Sequence, residues 1–121
     1  MGGITVEFTE RTVLLLIRSK PFGAIFNFEG WRASVGMFGM DHEPTMLFMG
    51  DGVLSILKGM NDLPIRMFKM TFQSFDGRIC VSKKSLEAHN ISPDELIEGV
   101  EVLDEAGVGK AFVENEIVLT F

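Results

Sequence analysis

The sequence predicts an α/β domain built on a mostly parallel β-sheet, with helices on both faces of the sheet. Short apolar or alternating runs, which are typical of strands, are separated by helical patterns along the whole chain. That alternation indicates βαβ units, in which crossover helices join parallel strands. The chain has 121 residues, a length that suits one domain and allows a core without disulfide or metal support.

Two strand signals and a helix dominate the first part of the chain. Residues 4–8 alternate apolar and polar side chains, which predicts an extra N-terminal strand. Residues 12–17 are continuously apolar, as expected for a strand covered on both faces. Residues 28–38 then carry apolar side chains at helical spacing, and residues 45–49 form the next apolar run.

The rest of the chain continues the alternation of helices and strands. A short helix is expected over residues 53–57, and a longer one starts at Pro64, where the missing N–H costs nothing. The apolar face of this longer helix is formed by Ile65, Phe68, Phe72 and Phe75, and widened by Met67 and Met70. A strand over 78–81 and a helix over 83–89 follow, and Asn90 is expected to end that helix in the left-handed conformation. A capping box at 92–95 comes next. The last segments are strands over 100–103 and 116–121, which flank a weak helix broken by Gly107 and Gly109.

Composition excludes several classes of protein. Eleven Lys and Arg residues against 17 Asp and Glu residues give a net charge of −6, which repels phosphate backbones and argues against direct nucleic-acid binding. The apolar share of 46% argues against disorder. The longest strongly apolar run, residues 13–17, is far too short to span a membrane, and Glu7 and Glu10 do not suit a signal peptide. We therefore expect a cytoplasmic protein without membrane association.

The apolar residues are unusual in kind, with 11 Phe and 8 Met residues and a mean hydropathy of +0.25. A small domain has much surface for its volume, so such a balance indicates surface covered by another chain. We predict that one of two helical faces is buried between subunits: the stripe of Trp31, Val35 and Phe38, or the face of residues 65–75.

Reactive groups of parallel sheets gather where strands end, which directs attention to residues 20–23, 50–52 and 80–82. Gly50-x-Gly52-x-x-Ser55 is an incomplete dinucleotide-binding motif, and its Asp51 would oppose a phosphate. A tight turn is the favoured interpretation, and small-ligand or nucleotide binding is the alternative. With two histidines in the chain, no metal or cofactor site is predicted.

Cys80 is the single cysteine, which excludes a disulfide framework and fits a reducing compartment. We expect it at the end of a short strand, just before a helix and the basic residues Lys83 and Lys84. A helix N-terminus and two cations would favour the nucleophilic thiolate. The alternative is a buried structural cysteine, since free cysteines are among the most buried residues.

Four stretches, in order, give the chain a resemblance to the DsrE/DsrF-like sulfur-relay proteins, above all to the DsrF or TusC type of subunit. They are residues 19–23 with 28–30, 47–53, 68–70 with 79–86, and 116–121. The resemblance spans residues 11–121 and leaves 1–10 as an N-terminal extension. It implies one three-layer α/β/α domain with a five-stranded sheet.

The resemblance also implies a function. Such chains assemble into trimers or hexamers, alone or with related DsrE- and DsrH-type subunits, and pass persulfide sulfur from donor to acceptor proteins. Cys80 would be the acceptor, attacking a donor persulfide as a thiolate. However, Cys80 lies a residue or two before the position of the DsrE-type acceptor, and Ser82 falls where the DsrF or TusC type can carry a cysteine. A shift of one residue along a strand turns the side chain to the opposite face of the sheet. The alternative is a non-catalytic structural subunit of a DsrEFH- or TusBCD-like hetero-oligomer.

Overall fold

Five parallel strands form one sheet in the order β4-β3-β2-β1-β5. The computed structural model describes residues 10–23 and 25–121, so the strand predicted over residues 4–8 lies outside the described part. The strands are β1 Thr12–Ile17, β2 Glu43–Phe48, β3 Arg78–Ser82, β4 Val100–Leu103 and β5 Ile117–Thr120. All four neighbouring pairs run parallel, which confirms the predicted sheet.

Helices cover both faces of this sheet, as predicted. The α-helices are α1 Phe26–Gly39, α2 Arg66–Ser74, α3 Lys83–Ala88 and α4 Glu105–Glu114, and 3₁₀ helices occupy Gly50–Ile56 and Pro93–Glu95. The path from β1 to β4 steps in one direction along the sheet, and right-handed crossovers therefore place α1, α2 and α3 on one face. The chain then returns past β1 to β5, which carries α4 to the opposite face.

The larger core lies beneath α1 and α2. Trp31 of α1 is fully buried and stands 5.4 Å from the ring of Phe48 and 6.3 Å from that of Phe72. Alternate residues of β1 enter this cluster, because successive strand side chains point to opposite faces. Val35 and Phe38 also pack against the cluster. The α1 stripe therefore belongs to the core of this chain.

Helix α2 meets the core through Ile65, Phe68 and Phe72 of its predicted apolar face, whereas Phe75 is exposed. Its buried side chains are Lys69 and Phe72, while Met67 and Met70 are 80% and 63% exposed. The Lys69 ammonium lies 3.3 Å from Asp62 and 5.8 Å from the centre of the Trp31 ring. An ion pair and an aromatic face compensate part of the cost of burying a lysine. Met67 and Met70 therefore widen the apolar surface of the helix outside the core, and Lys69 takes an inward position that the apolar spacing did not predict.

Three local predictions also differ from the structure. The capping box at residues 92–95 is present, with the Ser92 N–H donating to Glu95 at 2.7 Å, but it heads a single 3₁₀ turn. Gly107 and Gly109 lie inside a continuous α4, because the Asp104 side chain caps its start through the Gly107 N–H. Helix α2 begins at Arg66, two residues after Pro64.

The residue after α3 and the lengths of the helices complete the description of the fold. Asn90 has φ = +53°, which confirms the left-handed conformation predicted after α3. Within residues 10–23 and 25–121, no helix has the length and apolar character that crossing a membrane requires.

The 3₁₀ helix after β2 presses directly on β1. The Gly52 backbone approaches the Ile17 carbonyl so closely that a Cβ atom at Gly52 would overlap the carbonyl oxygen. Gly50, two residues earlier, has φ = +53°, a conformation that favours glycine. Both glycines of the Gly-x-Gly motif therefore have structural roles in the turn.

We predict that Gly52→Ala lowers the free energy of unfolding by about 1–3 kcal/mol, because two buried backbone segments must separate to admit the methyl group. Urea unfolding measures the change. Gly59→Ala is the matched control, since a Cβ atom there meets nothing within 4 Å and should leave stability nearly unchanged. Equal effects of the two substitutions would contradict the close approach.

Candidate functional site

The carboxyl ends of β1, β2 and β3 bring the three predicted segments to one edge of the sheet. Arg18 and Ser19 follow β1, Gly50 and Asp51 follow β2, and Ser82 ends β3. A surface cavity of about 460 Å³ lies at this edge, between β1 and β5, the point where strand order reverses. It is lined by Arg18, Ser19, Gly50, Asp51, Thr120 and Phe121.

Cys80 does not lie at this edge. It is the third of the five residues of β3 and is fully buried, because the strand continues through Val81 to Ser82. The expectation of a strand-end cysteine beside the α3 N-terminus is therefore not met. Its side chain joins the small cluster beneath α4, with Leu14, Leu47 and Ala111.

The surroundings of Cys80 favour the protonated thiol. The pKa of Cys80 is raised to about 11, chiefly by burial; Arg78 lowers it and the neighbouring Glu101 carboxylate raises it. The Cys80 thiol donates to Oε2 of Glu101 at 3.7 Å, and Nε of Arg78 donates to the same oxygen at 2.5 Å. At pH 7 about one thiol in 10⁴ would be a thiolate. Lys83 and Lys84 were expected to lower the pKa of Cys80, whereas burial raises it.

Ser82 occupies the strand-end position instead. It is 4% exposed, and its hydroxyl accepts a hydrogen bond from the Ser85 N–H at 3.2 Å. Ser82 thereby caps α3. Since Ser82 is two residues beyond Cys80, both side chains point to the same face of the sheet. The position that ends the strand therefore carries a helix-capping hydroxyl.

The Gly50-to-Ser55 segment is organised for packing. The Gly50 N–H donates to Oγ of Ser85 at 3.0 Å, and the Gly52 N–H donates to the Met49 carbonyl at 3.0 Å. The Ser55 hydroxyl donates to the Gly52 carbonyl. The backbone donors that a pyrophosphate would need at the two glycines are already occupied. This arrangement favours the tight turn over nucleotide binding.

Sequence reasoning missed an ionic contact at this edge. Nε2 of His89 lies 3.0 Å from Oδ1 of Asp51, and Nδ1 lies 3.0 Å from the Ser85 carbonyl oxygen. The Asp51 hydrogen bond is the largest of the influences that raise the pKa of His89. The contact with Ser85 is to its backbone carbonyl, which any residue type would offer, so the sequence carried no signal for it. The other partner of His89, Asp51, is 38 residues away in sequence, which the pattern does not reveal.

Residues 11–121 match the DsrE/DsrF-like family along the whole sheet and all its helices. The chain belongs to the DsrE/DsrF-like family. Among curated proteins, it is 28% identical to the intracellular sulfur oxidation protein DsrF of Allochromatium vinosum over 128 aligned residues. The alignment covers 89% of this chain and 94% of that relative.

Solved structures support the fold of this DsrE/DsrF-like chain. The crystal structure of the YchN protein from E. coli matches 93% of the chain and all of its own length, with a TM-score of 0.79 and 19% identity. MTH1491 of Methanobacterium thermoautotrophicum, described as a protein of unknown function, gives a TM-score of 0.74 at 15% identity, with the same coverage. At these identities the two structures establish the shared fold alone.

We predict that Cys80 in the folded protein reacts with iodoacetamide at least about 100-fold more slowly than in urea. A pKa of about 11 in place of the ordinary 9.0 lowers the thiolate fraction by that factor, and burial slows the reaction further. Alkylation followed by mass spectrometry measures both rates.

A charge variant separates the effect of the raised pKa from the effect of burial on the labelling rate. Glu101→Gln should speed labelling of the folded protein, because the Glu101 carboxylate raises the pKa of Cys80. Glu105→Gln is the matched control, since Glu105 pairs with Lys84 on the exposed surface. Equal labelling rates in the folded and unfolded wild type would refute the description of the thiol as buried and protonated.

Proposed function

We propose that this chain is a subunit of a cytoplasmic sulfur-relay complex, and that it supports its partner subunits while Cys80 remains structural. Membership of the DsrE/DsrF-like family and the similarity to a DsrF protein support the sulfur-related role. The observation that favours the supporting role is the burial of Cys80 in the middle of β3, where burial raises its thiol pKa. A sulfur carrier needs an accessible thiolate.

An exposed apolar row supports the association with other subunits. Leu63, Met67 and Met70 follow one another at spacings of four and three residues, and each is more than 60% exposed. We name these three residues the methionine row. Methionine side chains adapt to varied partner surfaces, which suits assembly with a second copy or with related subunits into a trimer or hexamer. The row is our candidate for the subunit contact on α2.

The second candidate function is sulfur carriage by Cys80. In that case the Cys80 thiolate attacks the outer sulfur of a donor persulfide, the sulfur–sulfur bond of the donor breaks, and the donor leaves as a thiolate. Cys80 then bears the persulfide and hands its outer sulfur to an acceptor thiolate. The observation in favour is the position of Glu101 and Arg78, which contact the thiol region yet are about half exposed. Displacement of this ion pair would open a route to the sulfur.

Persulfide loading distinguishes the two candidate functions. We expect the folded wild type to gain no sulfur from a low-molecular-weight persulfide donor, because its thiol is buried and protonated. Intact-mass spectrometry detects one added sulfur atom. Cys80→Ala is the control that keeps the site apolar. Sulfur gained by the wild type and absent from Cys80→Ala would overturn the structural role and support carriage.

Association through α2 has its own test. We expect Met67→Glu with Met70→Glu to reduce the molar mass found by light scattering, because two carboxylates cannot be buried unpaired in a subunit contact. The matched control is Val113→Glu, which adds charge at an apolar residue of α4 that is 86% exposed. A monomeric wild type, or an equal effect of the control, would contradict this use of the methionine row.

A further inference from the structure

A histidine–carboxylate contact joins two elements at the carboxyl edge of the sheet. His89 ends α3, and Asp51 lies in the first turn of the 3₁₀ helix that follows β2. Their side chains meet at 3.0 Å, between Nε2 of the ring and Oδ1 of the carboxylate. A second hydrogen bond, from the Gly50 N–H to Oγ of Ser85, joins the same two elements at 3.0 Å.

The ring of His89 is surrounded by acceptors. Nδ1 lies 3.0 Å from the carbonyl oxygen of Ser85, which can only accept, and Nε2 faces the carboxylate of Asp51 at 3.0 Å. A neutral imidazole has one N–H and can satisfy only one of these acceptors. The imidazolium has two N–H groups and satisfies both. The two contacts are therefore complete only when His89 carries a positive charge.

The other charged side chains of α3 are Lys83, Lys84 and Glu87, and the structure shows no bond from any of them to the His89 ring within the described residues. Lys84 pairs with Glu105, and Glu87 is exposed. Arg18, from the end of β1, lines the surface cavity together with Asp51. Within the described residues, Asp51 is the charged side chain that bonds to the ring of His89.

We propose that His89 and Asp51 form a pH-dependent clasp, which fastens α3 to the turn after β2 when His89 is protonated and loosens when it is neutral. Loss of the proton removes one of the two ring hydrogen bonds and the charge attraction together. The Gly50-to-Ser85 hydrogen bond stays, so the two elements remain attached and only the clasp is released.

The direction of the pH dependence follows from the contacts. Asp51 and the Ser85 carbonyl hold the pKa of His89 above its ordinary value of 6.5. The stabilisation is fully present below that unfolded-state value and is lost as pH rises through the higher pKa of the folded protein. The clasp therefore opens as pH rises above 6.5, through the raised pKa of His89.

An NMR titration of the wild-type protein and its Asp51→Asn variant tests the clasp. We expect the ring protons of His89 to titrate with a midpoint above 6.5, and the Gly50 and Asp51 amide resonances to follow the same midpoint. Asp51→Asn should shift the His89 midpoint downward. The amide resonances of α4 are the internal control, because this helix lies on the opposite face of the sheet and its signals should be the same in the two proteins.

A double-mutant cycle measures the coupling. Asp51→Asn and His89→Gln should be coupled by about two- to five-fold in the folding equilibrium constant at about pH 5.5, and the coupling should be weaker at about pH 9, where the neutral ring can donate to only one acceptor. The exposed pair Lys110 and Glu114 is the control, since it is an ion pair without a histidine. A His89 midpoint at or below 6.5 would overturn the clasp even if the variants failed to fold. So would a coupling that is independent of pH.

Discussion

Strand β1 is hydrogen-bonded on both sides and buried on both faces, and the other elements are arranged around it. It pairs with β2 on one side and β5 on the other. Its side chains alternate between the larger core under α1 and the smaller cluster under α4. Ile17, at its carboxyl end, lies under Gly30 of α1 and Gly52, where added Cβ atoms would overlap it. The close packing of helix, turn and strand therefore converges on this residue.

The same alternation along the neighbouring strands determines the environment of the only cysteine. Cys80 pairs with Leu47 on one side and Glu101 on the other, and it points toward α4. Residues of β3 one position away face the opposite core. A family fold positions a strand, whereas reactivity depends on which residue of that strand reaches solvent. In this DsrE/DsrF-like chain, the strand ends with a serine that caps a helix, and the thiol lies beneath an ion pair.

The surface of the domain presents two features with different physical bases. The methionine row, on α2 and the turn before it, is apolar and exposed, while Lys69 of the same helix lies inward against Asp62 and Trp31. The edge at the ends of the strands is polar and is held by hydrogen bonds between α3 and the turn after β2. The first feature is suited to association with another subunit, and the second to a response to pH.

The sequence by itself determined the parallel sheet, its flanking helices and the family, because hydrophobic periodicity and the order of motifs can be read directly from the sequence. Local patterns also predicted the left-handed Asn90 and the turn at Gly50. The tertiary structure decided the inward position of Lys69 on α2, the burial and protonation of Cys80, and the pairing of Asp51 with His89. Each of these depends on contacts between residues distant in the chain, with energies that arise from burial and charge in the assembled fold. The spacing of residues within one segment does not indicate such contacts.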